Sequence, residues 1–271
     1  MKQFILGSTL GRLAMSIRDK FEIMKAVLTK AEIVGSITND QMATLLVTKL
    51  CSSNKTFIDV GAHIGSIISE VAYHDSTIKI CAVEAIPDKV LKLRRKFPSV
   101  ELHECAVGDS EGNISFYINT KKSGYSSLGK PIKEQESDTV EITVSLKKLD
   151  SLISYNDIDI IKIDVEGAEL GVLRGSENII TTNNPVIMFE SGPQQDNKLG
   201  YTKEDMWEFL TDHNYDILIP NRVAHNGPGL SKEGFIESHV YPRRTTNYIA
   251  VPIERRSEIK NRANNILNYN S

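Results

Sequence analysis

Apolar residues recur at steps of four and three from Leu10 through Ala14, Ile17, Phe21 and Met24 to Leu28, the spacing of a narrow stripe on one α-helix. A second helix is predicted to begin at Thr38, Asn39 and Asp40, where Thr38 and Gln41 stand at capping-box spacing, and to carry Met42, Leu45, Leu46 and Leu50. The first stripe covers less than three heptads, which favours a helical lid packed on its own domain over a coiled-coil pair of two copies. After Ser52-Ser53-Asn54 the pattern changes to short apolar runs, each followed by a segment of helical composition. That alternation predicts a parallel sheet with helices on both faces. The expected strands are 56–60, 78–86, 100–107, 158–165, 185–190, 216–219 and 247–251. Near-alternation over 113–118 and 139–144 predicts an antiparallel excursion outside the main sheet, joined by the polar loop 119–138. The chain therefore divides into an N-terminal helical segment, 1–52, an α/β domain, 53–253, and a polar tail, 254–271, expected as a frayed helix or a disordered end.

Composition narrows the function. The 271 residues are 40% hydrophobic and 25% charged, ordinary for a globular protein. With 32 Lys+Arg against 35 Asp+Glu, nothing suggests a protein built to coat nucleic acid or an anionic membrane, and a small-molecule partner is expected instead. Cys51, Cys81 and Cys105 are odd in number and lack CxxC spacing, which suits free thiols in a reducing compartment and a cytoplasmic location. Arg12 cuts short the apolar run that starts at Phe4, so no signal peptide is expected, and no run reaches the ~18 residues of a membrane span.

The loop after the first strand carries the chemistry. Asp59-Val60-Gly61-Ala62-His63-Ile64-Gly65 leaves a buried strand, turns on glycine and enters a helix. Its order, Asp-x-Gly-x-x-x-Gly, departs from the G-x-G-x-x-G of dinucleotide sites and puts an acid ahead of the first glycine. An acid there suits a cationic ligand bearing ammonium and sulfonium groups, as S-adenosylmethionine does. Ala82-Val83-Glu84-Ala85 then places a carboxylate at the end of the second strand, where it can accept both hydroxyls of a ribose. Ala106-Val107-Gly108-Asp109 ends the third strand at the same edge, where small residues can lie against an adenine; Asp109 reads equally well as an ordinary turn residue.

The segment Ile161-Lys162-Ile163-Asp164-Val165-Glu166-Gly167-Ala168-Glu169 resembles the FkbM family of S-adenosylmethionine-dependent methyltransferases. The same family pattern is matched by Asp59-Val60-Gly61-Ala62, Ala106-Val107-Gly108-Asp109, Leu149-Asp150, Leu173-Arg174-Gly175 and Phe189-Glu190, over about residues 55–252. The resemblance implies a Rossmann-like class I methyltransferase fold, a seven-stranded, mostly parallel sheet with an antiparallel last strand. It also implies O-methylation of a hydroxyl on a sugar, glycan or natural-product scaffold. The cofactor-binding set is then Asp59, Gly61, Ala62, His63, Gly65, Glu84, Ala85, Ala106, Val107, Asp109 and Asp164. Members commonly carry Asn where this chain has His63, and two lysines, Lys147 and Lys148, stand near the usual Thr-Leu-Asp run.

On a strand Lys162, Asp164 and Glu166 share one face while Ile161, Ile163 and Val165 share the other. Three charges in a buried strand must pair or reach a mouth, so Lys162 reads either as a structural ion pair or as a substrate contact. Glu166 and Glu190 belong to the same expected substrate rim, and the resemblance adds Ser126 and Ser127. Asp164 is the first candidate for the acceptor or base at the methyl, and His225 is the second, because the loop 221–246 is expected to cover the carboxyl end of the sheet. Asp164, Glu166 and Glu190 have the oxygen ligands Mg²⁺ takes, but no metal site is predicted, since carboxylates at a sheet rim are common without one. A nicotinamide oxidoreductase on the same sheet should show G-x-G-x-x-G, which is absent. A non-catalytic binding module should have lost Asp59, Glu84 or Asp164, and all three are present. The expected assembly is a monomer or homodimer.

Overall fold

The computed structural model describes residues 9–119, 121, 128, 138–192 and 199–268. In chain order these form strands β1 (Thr56–Val60), β2 (Lys79–Glu84), β3 (Glu101–Glu104), β4 (Ala106–Val107), β5 (Gly112–Asn119), β6 (Thr139–Lys147), β7 (Ile158–Ile163), β8 (Val186–Glu190), β9 (Tyr215–Leu218) and β10 (Asn247–Pro252). The helices are α1 (Thr9–Thr29), α2 (Val34–Lys49), α3 (Ser66–His74), α4 (Pro87–Lys96), α5 (Leu149–Leu152), α6 (Glu169–Arg174), α7 (Glu177–Asn183), α8 (Lys203–Asp212), α9 (Lys232–Glu237) and α10 (Arg256–Asn268).

The main sheet has seven strands in the order β3-β2-β1-β7-β8-β10-β9, with β10 antiparallel to both its neighbours. Every residue of β1 and β7 is buried, as expected for central strands covered on both faces. Ile58, Ile161 and Phe189 pack into the layer beneath α6 and α8, while Phe57, Ile160 and Met188 pack with Leu46 of α2 and Ile259 of α10. Strand order reverses between β1 and β7, so the crevice for a ligand opens at their carboxyl ends. This is the architecture expected of a class I methyltransferase.

Four details differ from the sequence expectation. The run 100–107 is two strands in two sheets: β2 ends at Glu84 opposite Glu104, so Ala106 and Val107 find their backbone partners on β6 instead. The sheet β4-β6-β5 that results lies beside the main one. The second helix begins at Val34, not at Thr38, whose hydroxyl donates to the Val34 carbonyl one turn inside the helix. Asn39 and Asp40, which resembled caps, instead hold the segment before β10. Asn39 donates to the Arg244 carbonyl and Asp40 accepts from Thr245 Oγ1 and the Thr246 amide.

The stripe on α1 does not face the domain: Ile17, Phe21, Met24 and Leu28 are 53–78% exposed. Ala26 on the opposite side is buried, and Gln41 of α2 donates to the Asp19 carbonyl, so α1 is held by its other face. The tail is neither frayed nor disordered over 256–268. Ile259 and Ala263 are fully buried, and Asp159 receives Arg255 at 2.6 Å and Arg262 at 3.4 Å, which fastens the helix to the base of β7. Cys51, Cys81 and Cys105 are all buried and unpaired, and burial pushes each thiol up, Cys105 to about 11.

Candidate active site

A cavity of about 420 Å³ opens where the carboxyl ends of β1, β2, β7 and β8 meet, a size ordinary for a small-molecule site. Its floor is the turn after β1. Gly61 has φ +82°, and a Cβ built on it would lie 1.9 Å from the Asp164 backbone oxygen, so the close approach of the β1 and β7 ends requires glycine here. The Asp164 amide donates to the Val60 carbonyl and the Gly61 amide to the Val83 carbonyl, locking the three strand ends together. Beyond β7 the chain turns through Glu166 (φ +57°) and Gly167 (φ +102°). The buried Glu169 carboxylate holds that turn, accepting from the Val165 and Gly167 amides at 3.1 Å, and burial pushes its carboxyl up to about 7.

At the centre stands Lys162. Its ammonium lies 3.1 Å from Asp59 and 3.3 Å from Asp164 and donates to the Gly61 carbonyl at 3.0 Å. Burial works against the ammonium, but the charges of Asp164 and Asp59 outweigh it and hold Lys162 above its ordinary range. Burial raises the Asp59 carboxyl despite the cation beside it. Two carboxylates share Lys162, whereas Asp59 is 1% exposed and neither of its oxygens makes an aligned hydrogen bond.

Asp164 differs from Asp59 in being 41% exposed on its side chain, toward the cavity. Burial pushes its carboxyl up, but the Lys162 charge and a hydrogen bond from Glu190 win, and it is held below its ordinary range. Glu190 goes the other way, raised by burial and then by the Asp164 charge, so it carries the proton of the pair. Carboxylate oxygens of Asp164, Glu166 and Glu190 lie within 4.8 Å of one another, an arrangement of hard oxygen donors.

Glu84 is 6% exposed and accepts from the His63 amide at 2.8 Å and the Ile86 amide at 2.9 Å. Burial raises its carboxyl against the opposing pull of Lys89 and these two amides. The His63 ring, lowered chiefly by burial and then by the Lys89 charge, stays neutral at pH 7. At the other end the cavity is apolar, lined by Ile86, Ala106, Val107, Phe116 and Leu128.

Of the residues singled out from sequence, Asp59, Gly61, Ala62, His63, Glu84, Ala85, Ala106, Val107, Lys162, Asp164, Glu166 and Glu190 border this cavity. Gly65, Asp109 and His225 do not. Gly65 is the left-handed N-cap of α3, packed so closely that a Cβ would sit 2.4 Å from the Phe97 ring. Asp109 accepts from the Tyr201 hydroxyl at 3.0 Å and so ties its turn to the segment before α8. His225 lies by the first turn of α10, where its carbonyl accepts from Arg256 at 2.7 Å: the chain after β9 folds back along the sheet face, burying Val223, before it covers the carboxyl edge. It is therefore removed as a base. Ser126 and Ser127 lie outside the described residues.

Sequence reasoning missed Thr44, Lys89, Phe116 and Asn247, all of which line the cavity. Asn247 had a signal, since the first residue of an antiparallel last strand must start at the carboxyl edge beside Glu190. Phe116 and Thr44 had none, because they arrive from the small sheet and from α2.

The strand order with its antiparallel β10, and the acid-tipped β1 and β2 around one cavity, define a class I S-adenosylmethionine-dependent methyltransferase fold. The family model "Methyltransferase FkbM domain" matches residues 59–217, more than half of the chain. The chain belongs to that family, whose cofactor is S-adenosylmethionine. "Methyltransferase 1" of Beauveria bassiana (strain ARSEF 2860) is 27% identical over 146 residues, covering 45% of this chain and 58% of its own length. Methyltransferase FkbM from Methylobacillus flagellatus KT superposes with TM-score 0.46 at 16% identity, over 73% of this chain and 43% of that one. A TehB-like SAM-dependent methyltransferase from Corynebacterium glutamicum gives TM-score 0.40 at 12% identity, over 78% of this chain and 85% of that one. The chain thus spans only about half the length of the first two relatives.

The residues present fit the cofactor. Glu84 uses two of its roughly four lone-pair sites on backbone amides and keeps capacity for two hydroxyl donors. The apolar end beside Phe116 suits a purine, and the acidic end suits a cation.

Proposed function

We propose that this chain is an S-adenosylmethionine-dependent O-methyltransferase acting on a free hydroxyl of a sugar, glycan or natural-product scaffold. The observation that carries the reading is the carboxylate pair at the cavity wall, where Asp164 stands 3.3 Å from the Lys162 ammonium and its oxygen lies within 4.8 Å of one from Glu190. In this reading Glu84 accepts from the ribose hydroxyls, and Ala106, Val107 and Phe116 enclose the adenine. Asp59 provides negative potential behind the Gly61 turn. When bound, S-adenosylmethionine supplies an electrophilic methyl group on a sulfonium. Asp164 accepts the hydrogen of the acceptor hydroxyl and holds its oxygen in line, a positioning effect worth up to ~7–11 kcal/mol. Proton acceptance adds ~10²- to 10⁴-fold. Lys162 fixes the Asp164 carboxylate from below and keeps it ionised, while Glu166 and Glu190 form the wall that meets the acceptor. Ser126 and Ser127 remain proposed contacts.

The three buried, unpaired cysteines support a cytoplasmic location, and no described helix is long and apolar enough to cross a membrane. The test is a +14 Da product in a screen of hydroxylated metabolites, glycans and lipid-linked sugars with the cofactor, comparing wild type with Asp164→Asn. The expected result is turnover reduced ~10²-fold or more in the variant. Unchanged turnover would remove Asp164 from its role, and no binding of S-adenosylmethionine in calorimetry would remove the whole reading.

A further inference from the structure

The apolar stripe of α1 has no cover among the described residues. Ile17, Phe21, Met24, Val27 and Leu28 are each more than half exposed, Leu28 at 78%. At about 100° per residue, Ile17, Phe21, Met24 and Leu28 fall within an arc of roughly 60° on the side opposite the buried Ala26. Lys20 flanks that arc on one side and Lys25 on the other, while Asp19 and Glu22 fall on the far half of the helix, Asp19 paired with Arg18 at 2.7 Å. Apolar centre, basic margins and displaced acids together are the pattern of a helix that lies in the headgroup region of a membrane.

A second segment, distant in sequence, extends the strip. Val240 and Tyr241 are 63% and 65% exposed, and the Tyr241 hydroxyl donates to Glu32 at 2.6 Å, one turn past Leu28. Arg243 and Arg244 follow two residues later, and the Arg244 carbonyl is tied to Asn39 of α2. Pairing of two α1 stripes would bring Lys20 and Lys25 of both copies together, so charge opposes a second copy and favours an anionic surface.

We propose that α1 and the Val240–Tyr241 turn form an interfacial surface that docks the protein on an anionic lipid bilayer, with the apolar side chains among the acyl chains and the lysines at the phosphates. The surface stands apart from the cavity, and the proposal does not depend on the methyl-transfer reading.

The full chain is tested by co-sedimentation with sucrose-loaded vesicles of about 30% phosphatidylserine in phosphatidylcholine, against phosphatidylcholine alone. Wild type should sediment with the anionic vesicles only, and about 0.5 M salt should release most of it. Lys20→Ala/Lys25→Ala keeps the apolar face and should bind about 25-fold more weakly, at roughly fivefold per basic residue. Phe21→Glu/Met24→Glu should lose binding altogether while melting at the wild-type temperature. Equal partitioning to both vesicle types, or variants that bind like wild type, would overturn the proposal. So would a lipid-free dimer in sedimentation velocity that Phe21→Glu dissociates, since a second copy would then be what covers the stripe.

Discussion

Lys162→Met removes the cation from between two carboxylates and leaves a side chain of similar reach. At an effective dielectric constant near 20, a contact of 3.1 Å to Asp59 and one of 3.3 Å to Asp164 are each worth about 5 kcal/mol before desolvation. The Asp164 contribution is the smaller after solvent screening, because that side chain is 41% exposed. Much of the remainder offsets the cost of burying the ammonium, and cutting one partner from a buried pair typically costs ~3–5 kcal/mol. The loss should depend on pH. Burial already raises Asp59 above its unfolded value, and without Lys162 it rises further. A carboxyl raised on folding contributes stability that is complete below its unfolded pKa, near ~4, and lost as pH climbs through the folded value. The variant should therefore be destabilised by ~3–5 kcal/mol at pH 8 and by distinctly less at pH 5, and Asp59→Asn added to Lys162→Met should restore part of the loss at pH 8. Urea unfolding followed by far-ultraviolet circular dichroism at the two pH values measures all three. A cost below about 1 kcal/mol at pH 8, or one equal at both pH values, would refute the reading of Lys162 as the charge that makes a buried Asp59 tolerable.

Gly61→Ala should cost more than ~2 kcal/mol and abolish cofactor binding, because its Cβ would sit 1.9 Å from the Asp164 oxygen; a melt and calorimetry read the two effects, and a wild-type melt contradicts the argument. Glu84→Gln should weaken S-adenosylmethionine binding by ~10- to 100-fold, since charge-assisted hydrogen bonds are worth ~1.5–3 kcal/mol and the amide offers a single acceptor oxygen. Arg255→Ala should destabilise by ~3 kcal/mol at pH 7 by freeing Asp159, which lies 2.6 Å from it and is 5% exposed. Asp159 is held below its ordinary range: burial pushes it up, but the Ser52 amide and Arg255 prevail. Its stabilisation is present above the unfolded value near ~4 and lost as pH falls through the folded one, so the cost of Arg255→Ala should shrink below about pH 4 in the same urea assay.

Local pattern determined the parts of this protein that depend on neighbours in sequence. Continuous apolar runs bounded by glycine or polar turns marked β1, β7 and β8, because strands buried on both faces have no polar side to show. Asp59, Glu84 and Asp164 were legible because each ends such a run, and strand ends at one edge of a parallel sheet must meet. Where a backbone group could choose between distant partners, the sequence was silent. Ala106 and Val107 leave the main sheet because β2 ends at Glu84 and β6 offers the free hydrogen bonds. His225 left the site because the chain after β9 buries Val223 on a sheet face first. Asn39 and Asp40 had the composition of a helix cap but serve contacts more than 180 residues away, to Asn221, Arg244 and Thr245. The partition of one proton between Asp164 and Glu190 is also tertiary, since it rests on a cation reaching one carboxylate and low-dielectric surroundings enclosing the other. Spacing along the chain supplied the charges; only their burial and mutual distance decided which of them are ionised, and so which can do chemistry.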